Sequence, residues 1–188
     1  MREANQKAVG VAPMTVEEYI RFEWTAECRH EYINGQLFKM PGEKRTNNRI
    51  ALDISIYLVQ QLRPKGYEIY SHDMKVSNRD RNKYFYPDVF ATREPQTDAN
   101  QYIQYEPELI VEVISPTSRI TDTVDKYIDY SGIPSLKYYL LVEPEITYVT
   151  LYAKNSEGKW EATLYSSLND MVPMSLLDLS LPLSEIYR

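Results

Sequence analysis

The sequence predicts an α/β or α+β domain, a central mixed sheet flanked by helices with an added β meander. Three observations lead there. Residues 109–114 read Leu-Ile-Val-Glu-Val-Ile, the apolar, β-branched run of a strand buried on both faces. Residues 46–63 carry the clearest helical pattern, with Ile50, Ile54, Tyr57, Leu58 and Leu62 on one face. Between the first run and a strand near residue 138 lies a helical segment, the crossover that parallel strands require. With 188 residues, 43% hydrophobic and 26% charged, the chain suits one domain with a sizeable core.

Residues 1–13 are polar, aperiodic and end at Pro13, which predicts a flexible N-terminal tail. The single domain then occupies 14–188. Thr15-Val16-Glu17-Glu18 has the capping-box pattern and starts a helix running to about residue 26. Residues 30–38 read as a hairpin turning at Asn34-Gly35. Pro64 and Gly66 close the 46–63 helix. A strand near 67–72, a basic loop over Lys75–Lys83 and an apolar strand containing Asp88 follow, and the polar residues 92–106 read as a loop. After the 109–114 strand, a helix over 121–131 has an apolar stripe of Ile120, Val124, Tyr127 and Ile128 and stops at Gly132 and Pro134. Strands over 137–142, 147–152 and 160–165 form the meander, and the tail includes Leu177–Leu183.

Composition narrows the function classes. Cys28 is the only cysteine, which rules out an internal disulfide and fits a reducing cytoplasm. No apolar stretch is long enough to span a bilayer and no signal-peptide pattern opens the chain. A net charge of −6 argues against a nucleic-acid coat protein, although Arg79, Arg81 and Lys83 form a local basic group, either a solvated loop or a contact for phosphates. The 17 tyrosines either line a groove or reflect the strand preference of a β-rich protein. His30 and His72 lack metal-ligand spacing and read as structural or surface residues.

Asp88 and Glu112 are the residues that ask for chemistry. Each sits inside an apolar run, where an ionised carboxylate is costly unless paired or bound to metal. Two such groups on adjacent strands point to one site for a hard divalent cation. Asp88 satisfied by backbone N–H groups, and Glu112 in a buried ion pair, are the bland alternatives. On a helical wheel Lys126 lies opposite the stripe of Val124, Tyr127 and Ile128, and Asp122 can pair with it one turn earlier. That face is either solvated surface or an open groove.

The ordered set His30-Glu31-Tyr32-Ile33-Asn34-Gly35, Asn47-Asn48-Arg49-Ile50, Tyr86-Pro87-Asp88 and Pro107 through Pro116 around Glu112, then Asp122, Lys126, Tyr130, Gly132-Ile133-Pro134 and Tyr138 through Val142, resembles the Uma family of restriction-endonuclease-like proteins within the PD-(D/E)xK nuclease superfamily. The resemblance spans about residues 14–187. It implies a metal-dependent nuclease acting on nucleic acid, with Asp88, Glu112 and the Val113 backbone carbonyl holding Mg²⁺ or Mn²⁺ and Glu31 beside them. The lysine usual two residues after the glutamate is Ile114 here, and the family pattern places it on the next helix, at Lys126. Asn47 stands where many relatives carry histidine; it can cap a helix but cannot transfer a proton. Tyr130, on the face of Lys126, would position a phosphate or the lysine, or pack at the domain surface. A homodimer would suit cleavage of both DNA strands. A non-catalytic interaction module and a structural homo-oligomer are the alternatives from other classes.

Overall fold

The computed structural model describes residues 12–77, 82–95, 97, 101–115, 119 and 121–188. Most of the expected 1–13 tail lies outside them. Helix α1 (Val16–Glu23) has the expected capping box at Thr15 but ends three residues short of the expected end. Strands β1 (His30–Ile33) and β2 (Gln36–Lys39) form the hairpin, with Asn34 at φ 48 and Gly35 at φ 90. A side chain at Gly35 would be strained at that φ and would meet Pro13 Cβ at 3.3 Å. Helix α2 (Arg45–Leu62) runs into a 3₁₀ turn, Arg63–Lys65, and stops at left-handed Gly66.

Strand β3 (Glu68–Ser71) follows. The expected basic loop opens as a buried strand, β4 (Lys75–Ser77). The aromatic run holding Asp88 is two strands, β5 (Lys83–Phe85) and β6 (Val89–Thr92), which belong to different sheets. Pro87 lacks the N–H a ladder needs, so the run breaks there and Asp88 is left at the crossing. Within the expected loop, β7 (Ile103–Gln104) pairs with β4. Strand β8 (Pro107–Val113) leads to a π-helical turn, Thr121–Asp125, continuous with α3 (Lys126–Ser131). Then come β9 (Tyr138–Val142), β10 (Val149–Lys154) and β11 (Trp160–Tyr165). The C-terminal segment is built structure: β12 (Met171–Met174) pairs with β13 (Leu179–Pro182), and α4 (Leu183–Ile186) follows.

The result is α+β. A six-stranded mixed sheet runs β11-β10-β9-β8-β6-β3, and a five-stranded sheet runs β2-β1-β5-β4-β7. Strands β8 and β9 are parallel, so the segment through α3 is the crossover, while β9, β10 and β11 form the antiparallel meander. Alternation along β8 decides the faces. Leu109, Val111 and Val113 pack with Ile50, Ile54 and Leu58 of α2, and Ile110 and Ile114 pack with Tyr130 of α3. Glu112 shares the second face, which aims its carboxylate at α3.

The apolar stripe expected on this helix is the wrong way round. Val124 and Ile128 are 48% and 63% exposed, whereas Asp122, Lys126 and Tyr130 are buried. Tyr127 packs only partly, against Tyr152 and Trp160, and Ile120 lies outside the described residues. The cause lies on β8 and β1. Buried carboxylates left without a counter-charge cost several kcal/mol each, about as much as Val124 or Ile128 could return by burial or more.

Candidate active site

Three acids and one lysine, scattered from residue 31 to residue 126, meet between β1, β8 and α3. Lys126 Nζ lies 2.9 Å from Glu112 Oε1, 3.1 Å from Glu31 Oε1 and 3.2 Å from Asp122 Oδ1. Tyr130 Oη donates to the same Glu112 oxygen at 3.2 Å. Every side chain of this ion cluster is at most 6% exposed. Lys126 thus faces neither bulk solvent nor an open groove: it is the centre of a buried ion cluster. Asp88, at the crossing, accepts a 2.6 Å hydrogen bond from the Val113 N–H through Oδ2.

Electrostatics follows from burial. Glu112 is held well above the usual carboxylate range, because burial outweighs the pull of Lys126 and the charges of Asp122 and Asp88 add to it. Burial works against the Lys126 ammonium, but Glu112, Glu31 and Asp122 overcome it and keep the lysine protonated. Burial, with the charge of Glu43, pushes Asp88 up to about 7 despite its Val113 hydrogen bond.

Glu43 and His72, which no sequence pattern marked, complete the surroundings of Asp88. Among the described residues, Glu43, His72 and Asp88 are the only three acid, histidine or cysteine side chains whose ligand atoms all lie within 4.8 Å of one another. His72 Nδ1 is 3.3 Å from Glu43 Oε1. That hydrogen bond raises the histidine and lowers the glutamate. His72, read from sequence as a structural or surface residue, stands beside Glu43 and Asp88. Its left-handed φ of 57, fixed by a tight turn after β3, brings it there, and nothing local in the sequence announces that conformation. Glu43 had one faint signal: it stands just ahead of the start of the longest helix.

Asn47 is not a helix cap. Lys44 occupies the N-cap, and Asn47 is buried inside the first turn of α2, where Nδ2 reaches the carbonyls of Val113 and Ile114 at 3.2 and 3.3 Å. The Val113 carbonyl expected to face a metal thus already accepts one hydrogen bond, with a second lone pair remaining. Lys83 is engaged as well, by an ion pair with Asp129. Arg79 and Arg81 lie outside the described residues.

The donor set suits a divalent cation. Three buried carboxylates face one ammonium, and Asp88 and Glu43 face one imidazole. An excess of oxygen donors over positive charge is relieved either by protons or by a hard cation. No helix among the described residues is long and apolar enough to cross a membrane.

Comparison with known proteins agrees with this architecture. Two proteins of Synechocystis sp., slr1290 and sll1609, both named as uncharacterized, are 32% and 31% identical to the chain. Those alignments cover 93% and 87% of the chain and 92% and 94% of the relatives. A crystal structure titled as a putative nuclease belonging to DUF820 from Anabaena variabilis superposes with a TM-score of 0.76. The superposition covers 93% of this chain and 98% of that one at 16% identity, a likeness of fold. The family model described as "Putative restriction endonuclease" matches residues 16–184, and the chain belongs to that family, Uma2.

Proposed function

We propose that the chain is a metal-dependent endonuclease that hydrolyses phosphodiester bonds, with DNA as substrate and Mg²⁺ or Mn²⁺ as cofactor. The observation that carries the reading is the convergence of Glu31, Glu112 and Asp122 on the Lys126 ammonium, with Asp88, between β5 and β6, bonded to the Val113 N–H. It supplies from α3 the lysine that position 114 lacks. Asp88 and Glu112 would hold the cation, with the Val113 carbonyl as a further oxygen and Glu43 and His72 beside Asp88. A cation held there would supply Lewis-acid polarisation of the scissile phosphate and a bound water of lowered pKa.

The chain's own residues do the rest. The Val113 N–H fixes the direction of Asp88. Lys126, once one of its three carboxylates is taken up by the cation, would orient the attacking water and stabilise the negative charge that develops on the phosphate. Glu31 and Asp122 keep that ammonium in place, and Tyr130 donates to the Glu112 oxygen that meets it. A symmetric dimer would present two such sites to the two strands.

Supercoiled, linear and single-stranded DNA, and RNA, incubated with the protein and Mg²⁺ or Mn²⁺, test the proposal. Cleavage by wild type that disappears in Asp88→Ala and Glu112→Gln is expected. Absence of cleavage of every form above the Asp88→Ala background overturns it. One observation favours a second reading: the Lys126 ammonium is buried and engaged with three carboxylates, as in a non-catalytic module that keeps the nuclease fold. Nucleic-acid binding with no metal-dependent turnover would identify that case.

A further inference from the structure

Beside the acidic site lies a cleft of about 820 Å³, within the range of about 300–1,000 Å³ usual for small-ligand pockets. The two share walls: Gly42 lines the cleft and Glu43 belongs to the site, and Asp73 lines the cleft while His72 belongs to the site. Its mouth carries Trp24 and Tyr102, 65% and 54% exposed, with ring centroids 6.4 Å apart and planes tilted by 57°.

Lys75 also lines the cleft, and it is 8% exposed. Its Nζ lies 5.0 Å from the centre of the Tyr86 ring and makes no ion pair among the described residues. The carboxylates that influence it have other partners. Glu23 accepts from the His30 N–H at 2.8 Å and from Tyr86 Oη at 2.8 Å, and its second oxygen meets His30 Nδ1 at 3.2 Å. Asp73 lies 3.2 Å from Arg29, which also donates to the His72 carbonyl at 2.7 Å. Burial holds Lys75 below its ordinary lysine value. A buried ammonium with nearby carboxylates but no ion pair in contact is a donor in want of an acceptor.

We infer that this cleft takes the base of an unpaired nucleotide, stacked on Trp24 or Tyr102 at the mouth with an acceptor on its edge bonded to Lys75. Stacking on an aromatic ring is tolerant of sequence because every base has a π-face. A base inside a duplex cannot enter, so the substrate class is single-stranded or locally opened nucleic acid. Glu23, Asp73 and the neighbouring Glu27 disfavour a phosphate inside the cleft, which leaves the backbone outside it. The inference rests on reading the chain as acting on nucleic acid, but it requires neither metal nor turnover.

The test uses the Trp160→Phe protein, in which Trp24 is the one tryptophan left of two. It is titrated in EDTA with a twelve-residue oligothymidylate and with a duplex of equal length. The expected result is quenching of Trp24 emission by the single strand and tighter binding than to the duplex. Trp24→Leu and Lys75→Met, each checked for an unchanged fold by circular dichroism, should weaken single-strand binding about 5- to 150-fold, the range of one lost base stack. Equal affinity for duplex and single strand, or full affinity in both variants, overturns the inference. Single-strand binding without cleavage under any metal would overturn the nuclease proposal alone, and cleavage without Trp24 quenching would overturn this one alone.

Discussion

Replacing Lys126 with methionine isolates the feature on which the site depends. The side chains are similar in volume, so the change removes the ammonium and little else. It leaves Glu31, Glu112 and Asp122 facing one another with the contacts of 3.1, 2.9 and 3.2 Å gone. Removing one partner of a buried ion pair costs about 3–5 kcal/mol. For a domain of this size that lowers Tm by about 6–20 °C. Glu112, already raised by burial, rises further once the ammonium is gone. The folded variant then binds more protons than its unfolded chain. Its stability is greatest below the unfolded carboxylate value of about 4.3 and falls as pH rises towards the folded value. Wild-type Glu112 is raised as well, so the deficit should shrink as pH falls from the variant's Glu112 value to the wild type's. Thermal unfolding of both proteins across that range measures it, and adding Glu112→Gln to Lys126→Met should recover part of the loss. A Tm change under about 2 °C at neutral pH, or a deficit independent of pH, would refute the account of the cluster.

Further outcomes follow from the same geometry. Val124→Ser and Ile128→Ser should each alter stability by less than about 0.5 kcal/mol, because α3 turns these residues outward; a loss of core size in urea unfolding would contradict that orientation. Mn²⁺ at about a hundred times its Kd should stabilise wild type by about 2.7 kcal/mol and Asp88→Ala not at all, as read by thermal shift. Because metal needs the ionised carboxylate and Asp88 sits at about 7, Mn²⁺ affinity in calorimetry should climb between about pH 6 and about pH 8, and a flat profile would contradict it. In EDTA the raised Asp88 value means the opposite trend for stability. Its contribution is full below the unfolded carboxylate value and lost as pH rises through about 7, so Asp88→Asn should gain on wild type across that step in urea unfolding. Asn47→Ala leaves the Val113 and Ile114 carbonyls without their amide donor and should cost about 1–3 kcal/mol in the same assay.

Much of this protein was legible in one dimension. The capping box at Thr15, the Asn34-Gly35 turn, the α2 stripe and the apolar β8 run are local signals, governed by backbone sterics and by periodicity, and each appears close to its expected place. Glu112 as an anomaly in that run was legible too, because a lone carboxylate among β-branched residues breaks a rule that needs no neighbours to state. Other features were settled only when distant segments met. Pro87 breaks one aromatic run into strands of two sheets, since the β5 and β6 partners lie in separate parts of the chain. The direction of α3 could not be read from its own hydrophobic pattern, because the decisive term is the charge that β1 and β8 present to it. His72 reaches Asp88 through a left-handed turn, and Glu43 through the packing of the α2 start against the end of β8, neither of which leaves a pattern in sequence. Local structure follows from short-range sterics and burial, which sequence spacing encodes. A site built from residues 31, 43, 72, 88, 112 and 126 depends on which charges the fold places face to face, and only the tertiary structure decides that.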